Sequence, residues 1–121
     1  MIKCGIDLLR TSRLAEVNPA IKARFIHRVY TETEIAQAQD DNDTLSGIFA
    51  AKEAVSKALG TGIGKVAWQD IEILHATSGE PGVTLHGVAL EVAHAKGLVE
   101  WAVSITHEGG MAAAVAVAQS A

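Results

Sequence analysis

At 121 residues the chain has the length of one domain, and its 49% apolar content is enough for a core. Aromatics are only 4%, so alanine, valine and isoleucine must fill that core. A formal net charge of −4 argues against the basic surface of a general nucleic-acid binder but leaves room for a local basic patch. The lone cysteine, Cys4, rules out an intramolecular disulfide, which suits a reducing cytoplasm. No basic-then-apolar leader and no apolar run of bilayer length is present, so a soluble, cytoplasmic protein without a membrane partner is expected.

In chain order, Ile2, Cys4, Ile6 and Leu8 alternate with Lys3, Gly5 and Asp7, the period of a half-buried strand. Cys4 is expected to be a small buried hydrophobe, and Asp7 to point to the face opposite Ile6 near the strand's end. Short helices follow. Thr31 and Glu34 have the spacing of a capping box, which gives Glu34 a structural role. Asp40 to Asp43 form an acidic turn, with Asp43 or Thr44 positioned to cap the next helix. That helix carries Leu45, Ile48, Phe49, Val55 and Leu59 as one buried stripe and ends at Gly60. Beyond it, Trp68 to Leu74 reads as a strand, Ser78 to Gly82 as a turn, Val83 to Leu85 as a short strand and Gly87 to Lys96 as a helix. Trp101, Val103 and Ile105 mark another strand, and Glu108 to Gly110 a hairpin turn. The last strand, Met111 to Ala118, is apolar on both faces, which requires cover on both faces. No linker or repeat divides the chain. The expectation is a single α+β domain over 1–121, compact, with a largely antiparallel sheet and a long central helix.

One segment carries the chemistry: FAAKEAVSKALGTGIG, Phe49 to Gly64. Glu53 and Lys57 stand at i and i+4 on one helix face, followed by three glycines. Two readings fit. In one, the pair is an ordinary surface ion pair and Gly60 an ordinary C-cap. In the other, the carboxylate holds Mg²⁺, the lysine holds a phosphate oxygen and the glycine turn lets backbone approach a phosphate closely.

Two further segments bear on that choice: CGIDLLRTSRL at Cys4 to Leu14 and VSITHEGGMAAAVAV at Val103 to Val117. Together with W-x-DIEI and G-x-P, in this order and spacing, they make the chain resemble the small bacterial holo-[acyl-carrier-protein] synthases, which are 4′-phosphopantetheinyl transferases. The resemblance spans Ile2 to about Val117. It implies transfer of the 4′-phosphopantetheine arm of coenzyme A to a serine of apo-acyl-carrier protein, with release of adenosine 3′,5′-bisphosphate, in fatty acid biosynthesis. It also implies the family's α+β fold and a homotrimer with sites at subunit boundaries.

Residue by residue, the resemblance makes Asp7 and Glu53 the Mg²⁺ ligands and Lys57 the group that neutralises the pyrophosphate and the leaving oxygen. Gly60, Gly62 and Gly64 would pass close to the nucleotide. Ser104, Thr106 and His107 would approach coenzyme A from a loop that the sequence leaves open to act in cis or in trans. Arg13, Arg24 and Arg28 would meet the acidic recognition helix of the carrier protein. Read without the resemblance, Asp7 is a helix cap or an exposed strand-end carboxylate, His107 a turn residue, and the arginines a solvated face. Lys52 reads either as a core-edge lysine or as a substrate contact. One position departs from the family's pattern: Ile48 stands where arginine often precedes FAAKEA. Two other functions compete, a coenzyme-A-using α+β enzyme such as a thioesterase and a non-catalytic carrier-protein-binding module. Dependence on magnesium and an activity assay separate them.

Overall fold

The computed structural model describes residues 1–121. The first strand, β1 (Ile2–Arg10), leads through two helices, α1 (Ser12–Ala15) and α2 (Pro19–Val29), to α3 (Glu32–Ala38) and α4 (Asn42–Leu59). A 3₁₀ turn at Trp68–Asp70 opens the hairpin of β2 (Ile71–His75) and β3 (Pro81–Leu85). Helix α5 (Gly87–Ala95) then leads to β4 (Leu98–Glu108) and β5 (Met111–Ser120). Every strand pair is antiparallel, but the strands form two sheets rather than one: β1-β5-β4 and β2-β3. The β4–β5 turn is Gly109-Gly110, both at positive φ, the backbone that a two-residue hairpin requires.

Local signals account for most element ends. Asn18 caps α2 and accepts from Ala20 N, with Pro19 at the first helical position, where its missing N–H costs nothing. Thr31 and Glu34 form the expected capping box of α3. Asp41, rather than Asp43 or Thr44, caps α4, accepting from both the backbone N–H and the hydroxyl of Thr44. Gly60 ends α4 at φ 82°. Pro81 begins a strand instead of a turn, at a position where an edge tolerates it.

Helix α4 lies across β1, β5 and β4 and is buried on far more than one stripe. Ala50, Ala51, Ala54 and Ala58 are shielded along with Leu45, Ile48, Val55 and Leu59. Small residues let the sheet come close, and the alternation of β5 shows it: Ala112, Ala114, Ala116 and Ala118 face the helix.

The expected burial of β1 is inverted. Gly5 and Leu9 are buried, while Ile6 and Leu8 are 67% and 62% exposed and Cys4 is exposed. The cause is Gly5. A Cβ there would lie 2.0 Å from the Ala54 carbonyl oxygen, so the strand turns its hydrogen-only face to the helix. Its apolar side chains are left on the far face, beside Val115 and Val117 of β5. Lys52 and Glu34 form a fully buried ion pair at 2.8 Å. Lys52 also donates to the Trp68 and Ile71 carbonyls, and Glu34 accepts from Thr31 N and Ile73 N. Lys52 therefore ties α3, α4 and β2 together and has no surface to offer a substrate.

Candidate active site

The contact of Gly5 with α4 places Asp7, two residues on and on the same face, beside the last two turns of the helix. Lys57 Nζ donates to the Ile6 carbonyl at 2.8 Å and to Asp7 Oδ1 at 3.3 Å. The Lys57 side chain is 51% exposed and that of Asp7 20%, so the pair opens to solvent. Glu53 stands one turn before Lys57 and is partly buried. Burial first, and then the negative charge of Asp7, push its carboxyl above the ordinary value; the charges of Lys57 and Arg13 offset part of this. A carboxylate raised by a second carboxylate has the electrostatics of a site that a cation would relieve. No group of three or more His, Cys, Asp or Glu side chains is assembled anywhere in the chain. Two partly exposed carboxylates fit Mg²⁺, which takes one or two protein carboxylates and fills the rest of its shell from substrate phosphates and water.

The glycine turn is less available than its composition implies. Gly60 N, Thr61 N and Gly62 N all donate to the Ser56 carbonyl, at 3.1, 3.3 and 3.3 Å, and Gly64 N donates to the Val66 carbonyl. These amides close the helix end and do not form an outward-facing cradle. What the glycines supply is backbone at positive φ without side-chain bulk.

The SITHE residues divide between the two faces of β4. Ser104 and Thr106 are exposed on the open face, opposite Val115 and Ala113, away from Asp7, Glu53 and Lys57. His107 faces α4, but near its other end. Its Nε2–H donates to the Asp43 carbonyl at 2.6 Å, and its ring rests on Gly47, where a Cβ would come within 2.9 Å of Nε2. Gly47 and Lys57 are ten residues apart, about 15 Å along a helix. Within one chain, then, His107 does not meet Lys57.

Arg13 on α1 and Arg24 and Arg28 on α2 are exposed and free of ion pairs, and Arg13 lies close enough to Glu53 to act on its carboxyl. Next to them runs a groove of about 180 Å³ between α1, α2 and α4, lined by Leu14, Val17, Ile21, Phe25 and Phe49. This groove is not among the features expected from the sequence. Its signal was present in Ile21 and Phe25, at i and i+4 of α2, a pair that lines the groove although Ile21 stays 54% exposed. Ile48 is fully buried against the core, so an arginine there would have to be accommodated inside it.

A family model described as the 4′-phosphopantetheinyl transferase superfamily matches residues 3–116. A holo-[acyl-carrier-protein] synthase of Natranaerobius thermophilus is 40% identical over 120 residues, covering 97% of this chain and 96% of that protein. One from Alkaliphilus metalliredigens is 42% identical over 125 residues, covering 98% and 99%. Among solved structures, the Helicobacter pylori holo-[acyl-carrier-protein] synthase in complex with coenzyme A matches with a TM-score of 0.86 at 33% identity. That match covers 98% of this chain and all of the other. The synthase of Neisseria meningitidis matches equally well, with a TM-score of 0.86 at 33% identity over 98% of this chain and 99% of that one. Together with the match over residues 3–116, these likenesses show that the chain belongs to the 4′-phosphopantetheinyl transferase superfamily.

Proposed function

We infer that the chain is a holo-[acyl-carrier-protein] synthase. It transfers the 4′-phosphopantetheine arm of coenzyme A to a serine of apo-acyl-carrier protein and releases adenosine 3′,5′-bisphosphate. The observation that carries the reading is the meeting of Asp7, Glu53 and Lys57 at the β1–α4 seam in a chain of this superfamily. The new bond joins the serine oxygen to the phosphorus next to the pantetheine; the bond to the bisphosphate breaks, and its oxygen leaves with the electron pair. Such transfers rest mainly on positioning and on charge stabilisation. Lys57 is placed to neutralise charge on the departing phosphate. Its bonds to the Ile6 carbonyl and Asp7 hold the ammonium in one place before substrate arrives. Glu53, with a carboxyl above the ordinary value, is suited to accept the serine proton directly or through one water. Asp7 and Glu53 would hold Mg²⁺, which when bound supplies Lewis-acid neutralisation of the phosphates. Arg13, Arg24 and Arg28 offer an acidic carrier protein an oriented basic edge beside the apolar groove. Gly62 and Gly64 leave open space for the nucleotide at the end of α4, while at Gly60 the Lys96 ammonium fills it.

The assembly belongs to the same proposal. The open face of β1 and β5 leaves Ile2, Ile6, Leu8, Val115 and Val117 in water, a contiguous apolar surface of the kind that marks an interface. His107 lies too far along α4 to serve Lys57 of its own chain, so a second copy must bring it. The number of copies, three, comes from the family, as does the cytoplasmic setting in fatty acid biosynthesis. The deciding experiment is intact-mass analysis of apo-acyl-carrier protein incubated with the enzyme, coenzyme A and Mg²⁺. A mass gain of one phosphopantetheine, lost on chelation, is expected. An unmodified carrier protein under these conditions would overturn the reading, and thioester cleavage without transfer would favour a thioesterase.

A further inference from the structure

We propose that Lys96 is a phosphate-binding residue for the nucleotide half of the donor, standing over the glycine turn at the end of α4. The inference rests on the function proposed above. It starts from a conflict at that turn. The C-terminal end of a helix carries partial negative charge, which repels a phosphate. The amides that could offset it are committed, those of Gly60, Thr61 and Gly62 to the Ser56 carbonyl and that of Gly64 to Val66. Lys57, one turn back, is held by the Ile6 carbonyl and Asp7. With Lys57 serving the departing phosphate, the other phosphate of the bisphosphate needs a cation from elsewhere in the chain.

Lys96 is that cation. It is the C-cap residue of α5 and reaches across to donate to the carbonyl of Leu59, the last residue of α4. Its ammonium sits where a side chain at position 60 would begin: a Cβ on Gly60 would lie 2.9 Å from Nζ. Gly60 thus keeps open the space that the ammonium occupies. An ammonium has three donors, and Leu59 uses one. No carboxylate pairs with Lys96, since the ion pairs of the chain are Lys52–Glu34, Lys57–Asp7 and His86–Glu72. The residue is exposed and its contact with Leu59 is only part-buried, so the ammonium stays open to solvent beside the turn. One bond cancels the negative helix end, and the others are free for phosphate oxygens.

The test is calorimetric titration of adenosine 3′,5′-bisphosphate into the wild type and three variants, with thermal melting and steady-state kinetics alongside. Lys96→Gln keeps a donor for the Leu59 carbonyl but removes the charge. It should weaken bisphosphate binding about tenfold, the loss of one charge-assisted contact, and raise KM for coenzyme A with little change in kcat. Lys96→Arg should restore affinity to within about twofold, because the charge and donors return. Lys65→Gln, which removes another exposed cation of the same turn region, should leave affinity near wild type. Wild-type affinity in Lys96→Gln overturns the assignment while leaving the proposed function standing. So does an equal loss in Lys65→Gln, which would mean unspecific charge, or a loss in Lys96→Gln that only tracks a lowered Tm. A wild-type protein that binds no bisphosphate overturns the proposed function and this assignment with it.

Discussion

Lys57 and Glu53 sit one turn apart and answer to different measurements. Lys57 is already held against Asp7 and the Ile6 carbonyl, and in the proposed function its charge would matter most as the leaving phosphate gains charge. Lys57→Ala should lower kcat by roughly 100-fold, the scale of losing one preorganised charge-stabilising donor, and change KM for coenzyme A far less. An unchanged kcat with a raised KM in steady-state assays would contradict this role. For Glu53 the sign of the pH effect follows from its raised carboxyl. The native state holds that proton more tightly than the unfolded chain does, so the ionised form costs stability above the raised value, and the cost vanishes below the ordinary one of 4.5. In chelator, Glu53→Gln should therefore raise Tm at neutral pH and lose that advantage at about pH 4, where carboxylates protonate. Adding Mg²⁺ should raise the Tm of the wild type and not that of the variant. Equal melting temperatures of the two proteins at neutral pH in chelator would remove the electrostatic argument for the pair.

At the scale of elements, α4 is fixed on one side by Gly5 and on the other by the buried ion pair. Burial lowers the Lys52 ammonium's affinity for its proton and Glu34 offsets this, so each charge is tolerable only with its partner. Lys52→Met leaves Glu34 buried and unpaired, and denaturant melts should show a loss of about 3–5 kcal/mol. A loss under about 1 kcal/mol, the scale of an exposed pair, would mean that Glu34 escapes to solvent. In the proposed function helix α2 serves a different task, docking of the carrier protein. Gln69 Nε2 donates to the carbonyls of His27 and Tyr30 and anchors its C-terminal end, while Arg24 and Arg28 project one turn apart. Arg24→Glu should raise KM for the carrier protein several-fold and leave coenzyme A binding alone. The wild-type rate at limiting carrier protein should fall as salt rises, because exposed charges are screened beyond about 8 Å at physiological ionic strength. Normal kinetics in the variant and a rate indifferent to salt would remove the docking surface from α2.

For the whole molecule the question is what covers the open face of β1 and β5. A face carrying Ile2, Ile6, Leu8, Val115 and Val117 is expensive to leave in water, and His107 has no partner lysine in its own chain. Mixing the inactive variants Glu53→Ala and His107→Ala and allowing subunits to exchange should restore part of the activity, because some boundaries then join an intact Glu53 to an intact His107. Light scattering should give the mass of three chains. A monomeric mass, or no recovery after proven exchange between two inactive parents, would sink the shared site.

Sequence alone determined what depends on neighbours in the chain. The Thr31–Glu34 capping box, the end of α4 at Gly60 and the Gly-Gly hairpin each follow from backbone geometry within four residues. The α+β class followed from the inventory of elements, and the antiparallel pairing of β4 with β5 from the hairpin between them, whereas β1 pairs with β5 across about a hundred residues. The pairing of Glu53 with Lys57 on one face was legible from helical spacing, and the place of Asp7 beside them only from the family's motifs. Tertiary structure decided what alternation leaves ambiguous. Both faces of β1 can be read as apolar or packable, and only the 2.0 Å clash that a Cβ at Gly5 would make with Ala54 shows which one meets the helix. It also decided that Asp41 caps α4, that Lys52 is locked inside, and that His107 rests on Gly47, far from Lys57 in its own chain. Lys96 above the glycine turn was likewise invisible in the sequence. Its contact joins residues 37 apart, and no local pattern encodes a lysine's reach across two helices.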